Sequence, residues 1–156
     1  MQMNVDNPVI CEVVGYLESI KDLQFKITVL ENQIDEAEAR LTSLKSLTNY
    51  KEVSVKSIYI SNDQIPNAII RIEELVNEKE ALLNKLIFLK DRIIKEIFQL
   101  NNLNQSRILY YTYVETMHQE DIAMLMNYSV RHTRRILSEA LTSFARIYYE
   151  GRYEFE

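Results

Sequence analysis

Residues that turn a chain are scarce in this sequence, which has two glycines and two prolines among 156 residues. β-Sandwiches, barrels and nucleotide-binding sheets need tight turns and glycine-rich loops, so that scarcity argues against them and favours long helices. Gly15 and Gly151 stand alone, and neither belongs to a phosphate-cradling loop. One cysteine, Cys11, excludes an internal disulfide framework and a cysteine-based zinc site. His118 and His132 are the only histidines and have no acidic or cysteine partner at ligand spacing, so no metal site is expected. Ser129 and Ser138 have no base arranged near them. The expectation is therefore a protein that is not an enzyme, with no catalytic residue and no cofactor. No apolar run approaches the length of a membrane span, and no basic segment followed by an apolar stretch opens the chain, so no membrane partner is expected and the cytoplasm is the default.

Apolar residues make up 47% of the chain, enough for a folded core. The first twelve residues, with Asn4, Asp6, Asn7 and Pro8, read as a loose lead-in. Val13, Tyr16, Ile20, Leu23, Ile27, Leu30, Ile34, Ala37, Leu41 and Leu44 then recur at alternating spacings of three and four. This predicts one continuous helix over about residues 12–47. Its flanking charges are mixed. In a parallel dimer Lys26 would face Glu31 favourably, whereas Arg40 would face Lys45, so the seam alone does not specify a parallel homodimer. Residues 48–65 break the period, with Val53 to Lys56 alternating briefly, and a short strand or an irregular crossover fits them equally.

A second helix is predicted over about residues 66–101. It carries Ile72, Leu75, Leu82, Leu86, Leu89, Ile93 and Leu100, widened by Val76, Leu83 and Ile97. Two helices of similar length with a short connection form a long antiparallel hairpin, coiled-coil-like, over residues 1–103. The wide stripe leaves apolar surface to bury against a second copy. Ile20, Leu23, Ile27, Leu30, Ile34, Leu41, Leu82, Leu86, Leu89 and Ile93 are accordingly the candidate oligomerisation residues, in a dimer or a higher even oligomer.

Asn101, Asn102, Asn104 and Gln105 form a polar hinge. Beyond it the heptads stop, and residues 104–147 read as a compact three-helix module followed by a tail, 148–156. Helices are predicted over about 106–115, over Gln119–Met126, and from Ser129 through about Leu141, with Asn127 and Tyr128 as a tight turn. Ser129 suits a helix cap, and Asn127 tolerates the left-handed conformation such a turn demands. Ile122 and Met126 face inward from the second helix, Ala123 is small where the helices cross, Tyr128 plugs the turn into the core, and Thr133, Ile136, Leu137 and Ala140 form the buried face of the third. Although the chain is acidic, with net charge −5, the stretch 127–146 carries Arg131, Arg134, Arg135 and Arg146 against Glu139 alone. A single arginine-bearing helix on an acidic protein is the pattern of a helix-turn-helix that presents one helix to the major groove of double-stranded DNA. The bland alternative is a three-helix bundle with a solvated arginine face. The candidate DNA-binding residues are Ser129, Val130, Arg131, His132, Arg134 and Arg135.

The stretch LYYTYVETMHQEDIAMLMNYSVRHTRRILSEAL resembles region 4 of bacterial sigma factors. It is still more similar to small regulators of Gram-positive bacteriophages related to the ArpU and RinA late transcription regulators. Tyr128-Ser129-Val130-Arg131-His132 followed by Arg135 carries the likeness, with Asn127 where that turn usually has glycine. The resemblance implies a phage or prophage transcription regulator in the cytoplasm of a bacterial host, with double-stranded DNA as partner and bacterial RNA polymerase as a further candidate. Two rival readings are a small terminase-like DNA-packaging protein and an interaction protein that engages polymerase without binding DNA.

Overall fold

The structure is a computed structural model that describes residues 7–49 and 63–153. Regular structure among these residues is all-α, as the turn-poor composition predicts. The helices are α1 (Pro8–Asn49), α2 (Gln64–Ile97), α3 (Leu103–Leu109), α4 (Gln119–Met126) and α5 (Val130–Tyr153), and α3 runs on through a π-helical turn, Tyr110–Val114. The period-breaking connection, apart from its two ends, and the last tail residues lie outside the described residues.

Several boundaries differ from expectation, each for a local reason. From Pro8 on, the lead-in is in fact the start of α1. Asn7 Oδ1 accepts the Val9 amide at 3.1 Å, and Pro8 occupies the first turn, where its missing N–H costs nothing. α2 stops at Ile97. The expected hinge is a cap: Asn102 Oδ1 accepts the amides of Asn104 and Gln105 at 3.0 and 3.3 Å. The buried Ser106 hydroxyl meanwhile donates to the carbonyl of Ile97 at 3.1 Å. The asparagines thus fix α3 against the end of α2. α5 does not stop near Leu141, because Phe144, Ala145 and Tyr148 prolong the buried face of Ile136, Leu137, Ala140 and Leu141 at helical spacing. The sequence-based tail is therefore largely helix.

The chain forms two compact units, Gln24–Lys85 and the residues up to Leu23 together with those from Leu86 on. The division passes through both long helices and not near residue 104. In the unit Gln24–Lys85, Leu30, Ile34 and Leu75 are buried, with Ala37, Val76 and Leu82 packed against them. Covering one such Leu or Ile contributes about 1.5–3 kcal/mol. Lys79 sits within the apolar stripe and is answered by Glu31, Nζ to Oε1 at 3.0 Å. In the other unit Val13, Leu17, Ile20, Ile93, Ile97, Ile108, Leu109, Ile122, Leu141 and Phe144 are almost fully buried. Polar ties surround this core. The Tyr16 hydroxyl donates to Glu96 Oε2 at 2.6 Å, and Arg92 Nε donates to Glu96 Oε1 at 3.1 Å. Tyr148 and Tyr149 donate to the two carboxylate oxygens of Glu12 at 3.0 and 2.7 Å. The guanidinium of Arg152 lies 3.6 Å from the ring centre of Tyr148 and 4.6 Å from that of Tyr16, a cation–π arrangement.

This packing changes the reading of the heptad residues. Of those assigned to association between chains, Ile20, Ile27, Leu30, Ile34, Leu86 and Ile93 are buried inside a single chain. Leu23, Leu41, Leu82 and Leu89 are half-buried. The buried six are already covered within the chain, whereas the half-buried four keep some apolar surface. The large apolar side chains that stay exposed are others, led by Phe88 at 75% and Phe25 at 70%.

Candidate nucleic-acid interface

The sequence around the α4–α5 turn dictates its geometry. α4 carries Glu120 and Asp121 in its first turn, where they complement the helix dipole. It buries Ile122 and Ala123 and ends at Asn127, which takes the left-handed conformation with φ 57° and ψ 41°. The Asn127 amide donates to the carbonyl of Met124 at 3.2 Å and the Tyr128 amide to that of Ala123 at 2.9 Å. This pair of bonds is the Schellman closure, which satisfies carbonyls a helix end would otherwise leave open. Ser129 then caps α5, its Oγ accepting the His132 amide at 3.1 Å. Thr133 is buried and donates its hydroxyl to the Ser129 carbonyl at 3.0 Å. With Ile136 it fixes the inner face of α5.

The candidate residues fall around the outer side of that helix start. Arg131, Arg134 and Arg135 are exposed, as is Ser129, while Val130 and His132 are half-buried. Their surroundings differ. Arg134 Nε donates to Gln119 Oε1 at 2.7 Å, tying α5 to the first residue of α4. A nitrogen of Arg135 lies 3.0 Å from His132 Nδ1, and its Nε is 4.0 Å from Glu139. Arg131 makes no ion pair among the described residues. The structure thus brings three arginines to one helix start and leaves Arg131 the least engaged. Arg146 is also exposed but lies three turns further along α5.

Other features had no signal in the sequence. The π-helical turn Tyr110–Val114 widens the helix ahead of α4, and the Thr112 hydroxyl is buried within it without a partner among the described residues. Thr116 follows at φ 52°, an unfavourable value for a β-branched residue. The Tyr110 hydroxyl donates to Glu115 Oε1 at 2.7 Å, and that bond raises its pKa above the usual tyrosine value. Tyr128 is only half-buried. Its ring meets His132 edge-on at 4.6 Å, and its hydroxyl accepts from Asn104 Nδ2 at 3.3 Å. Asn104, Arg107, Tyr111, Leu125, Met126, Asn127 and Tyr128 line a cavity of about 330 Å³ beside the turn.

Chemically, this surface offers cationic hydrogen-bond donors from Arg131, Arg134 and Arg135. Among the described residues no three His, Cys, Asp or Glu side chains converge as a metal site, and no helix is long and apolar enough to cross a membrane. No protein-family model, no curated protein and no solved structure matches this chain.

Proposed function

We propose that this protein is a sequence-specific, double-stranded-DNA-binding regulator of phage or prophage transcription, acting in the bacterial cytoplasm. In this reading α4, the turn at Asn127 and α5 are a helix-turn-helix. α5 enters the major groove, Arg131, Arg134 and Arg135 meet base edges or phosphates, and Ser129 sets the helix start. α1 and α2 form an antiparallel hairpin that supports the module. The single observation that carries the reading is the exposed arginine cluster on a helix start fixed by the Asn127 turn and the Ser129 cap. An arginine fork matches the acceptor pair of guanine in the major groove. The resemblance of Leu109–Leu141 to sigma region 4 and to the ArpU- and RinA-like regulators agrees with it. Self-association remains part of the proposal, through exposed apolar residues in place of the buried heptads.

Selection of bound sequences from a random pool of duplex DNA by the full chain tests this. A palindromic motif supports a dimeric regulator and an asymmetric motif a monomeric one, whereas no enrichment overturns the reading.

One observation favours a second reading, docking onto RNA polymerase. Met124 at 78% and Leu125 at 55% exposure place apolar surface on α4. Polymerase that co-purifies with the wild type but not with Met124→Asp, in the absence of DNA affinity, supports it.

A further inference from the structure

We propose that the cavity beside the α4–α5 turn is a binding site for a phosphodiester of the DNA backbone, with Arg107, Asn104 and Tyr128 as its ligands. The inference rests on the DNA-binding reading and deepens it, because it assigns a backbone anchor outside the arginine cluster of α5.

The chemistry of the lining is one-sided. Among the described residues Arg107 is the only formally charged one of the cavity wall, and no carboxylate lines it. Arg107 is exposed and makes no ion pair among the described residues. Its guanidinium therefore keeps five N–H donors in a planar fork, the geometry that grips phosphate oxygens two at a time. The Tyr128 hydroxyl already accepts from Asn104 Nδ2, so its own proton is left to donate. Asn104 keeps a second amide N–H. A wall that offers one positive charge and several donors, with no competing anion, selects an anionic ligand rich in acceptor oxygens. A phosphodiester is such a group.

The cavity also lies where a backbone contact belongs. Tyr128 lines it and packs edge-on against His132, within the first turn of α5, and His132 in turn touches Arg135. The donors of the cavity are thus joined through two side chains to the arginine face. When a helix enters the major groove, phosphates run along the groove edges and the helix before the turn, here α4, crosses the backbone; Leu125 and Met126 of α4 line the cavity. Arg107 belongs to α3, ahead of α4, and gives the protein a grip that fixes register without reading sequence.

The test uses the full chain and a duplex carrying the selected motif, with affinity measured across a range of salt. Arg107→Ala should lower the slope of log affinity against log salt by about one and weaken all sequences about equally, leaving the motif unchanged. Arg107→Lys should keep the slope, and Tyr128→Phe should weaken binding several-fold. Circular dichroism confirms that each variant is folded, which the exposure of Arg107 favours. If wild type binds the duplex and Arg107→Ala matches it in slope and affinity, the phosphate site is wrong and the DNA-binding reading stands. If wild type binds no duplex at low salt, both fall. Orthophosphate at constant ionic strength separates the sources. Shifts of the Asn104 side-chain amide with orthophosphate but none with duplex would assign the cavity to a free anion and overturn the inference.

Discussion

Arg134 Nε reaches Gln119 Oε1 at 2.7 Å, so one candidate DNA-contacting arginine also holds α5 to the start of α4. Arg131 has no such tie among the described residues. The two arginines should respond differently to truncation. Arg131→Ala should leave the melting temperature unchanged and relax preference at one base pair, by about 1–3 kcal/mol if the contact is bidentate to guanine. Arg134→Ala should weaken binding and also cost about 0.5–1 kcal/mol of stability, the net worth of one exposed hydrogen bond. Gln119→Ala should reproduce the stability loss without removing the charge. Binding isotherms against matched and mismatched duplexes, beside thermal melts, distinguish these outcomes. Wild-type affinity in folded Arg131→Ala, Arg134→Ala and Arg135→Ala proteins would remove DNA recognition from α5.

The turn residue gives a sharper stability test. Asn127 is held at φ 57°, where a residue with a Cβ is disfavoured by about 1–2 kcal/mol and asparagine suffers less than most. Glycine carries no such penalty there. Asn127→Gly should therefore raise stability by about 0.5–1 kcal/mol, and Asn127→Ala should lower it by about 1 kcal/mol. Urea unfolding measures both. A lower midpoint for Asn127→Gly would show that the asparagine side chain stabilises the turn in some other way.

Much of this architecture was legible because it rests on local chemistry. Asn127 and Ser129 announce a left-handed stop and a cap whatever surrounds them, and the inward set of Ile122, Ala123, Thr133 and Ile136 follows from helical spacing. What was not legible depends on which surfaces meet. Heptads state that a helix has an apolar seam but not whose helix fills it, so Ile27 and Leu30 suited an interchain contact and an intrachain one alike. Asn102 suits a linker or a cap equally, and the choice turns on Ser106 finding the Ile97 carbonyl. The Tyr148 and Tyr149 hydroxyls find Glu12 across most of the chain's length. The Arg134–Gln119 tie and the Arg107 cavity arise from the same kind of meeting, which no periodicity encodes.

The reassigned seam leads to a paired prediction on assembly. Ile27 is 6% exposed and Phe88 75% exposed. Ile27→Asp places an unpaired charge in a covered site and should unfold or strongly destabilise the single chain, by several kcal/mol. Phe88→Asp should leave the helical signal and melting temperature nearly unchanged and reduce any self-association seen by sedimentation. If Ile27→Asp instead yields a folded monomer from a wild-type dimer, the heptads lie between chains after all. If Phe88→Asp leaves a wild-type dimer intact, this exposed residue is not its contact.

Stability at high pH should reveal the Tyr16–Glu96 contact. Burial, and next the hydrogen bond to Glu96, push the Tyr16 hydroxyl up to about 12 from its usual 10. Burial does the same to Tyr113, also to about 12. The folded chain therefore holds both protons more tightly than the unfolded chain. By linkage that contribution is complete below pH 10 and is lost as pH rises through 12. Glu12 acts in the opposite direction. Hydrogen bonds from Tyr149 and then Tyr148 lower its pKa, so its contribution is present above 4.5 and fades on acidification. Tyr16→Phe removes the donor but leaves Glu96 paired with Arg92. At neutral pH it should cost about 1–2 kcal/mol, as expected for a hydrogen bond to a carboxylate. Between pH 10 and 12 that deficit should shrink, because the wild type loses there what the variant never had. Urea midpoints of both proteins at pH 7 and near pH 11 decide the matter. Phenylalanine keeps the ring contacts with Phe144 and Tyr148, so a deficit that stays constant would mean that the loss does not follow ionisation of the Tyr16 hydroxyl, and a deficit absent at both would mean the bond to Glu96 adds nothing to the fold.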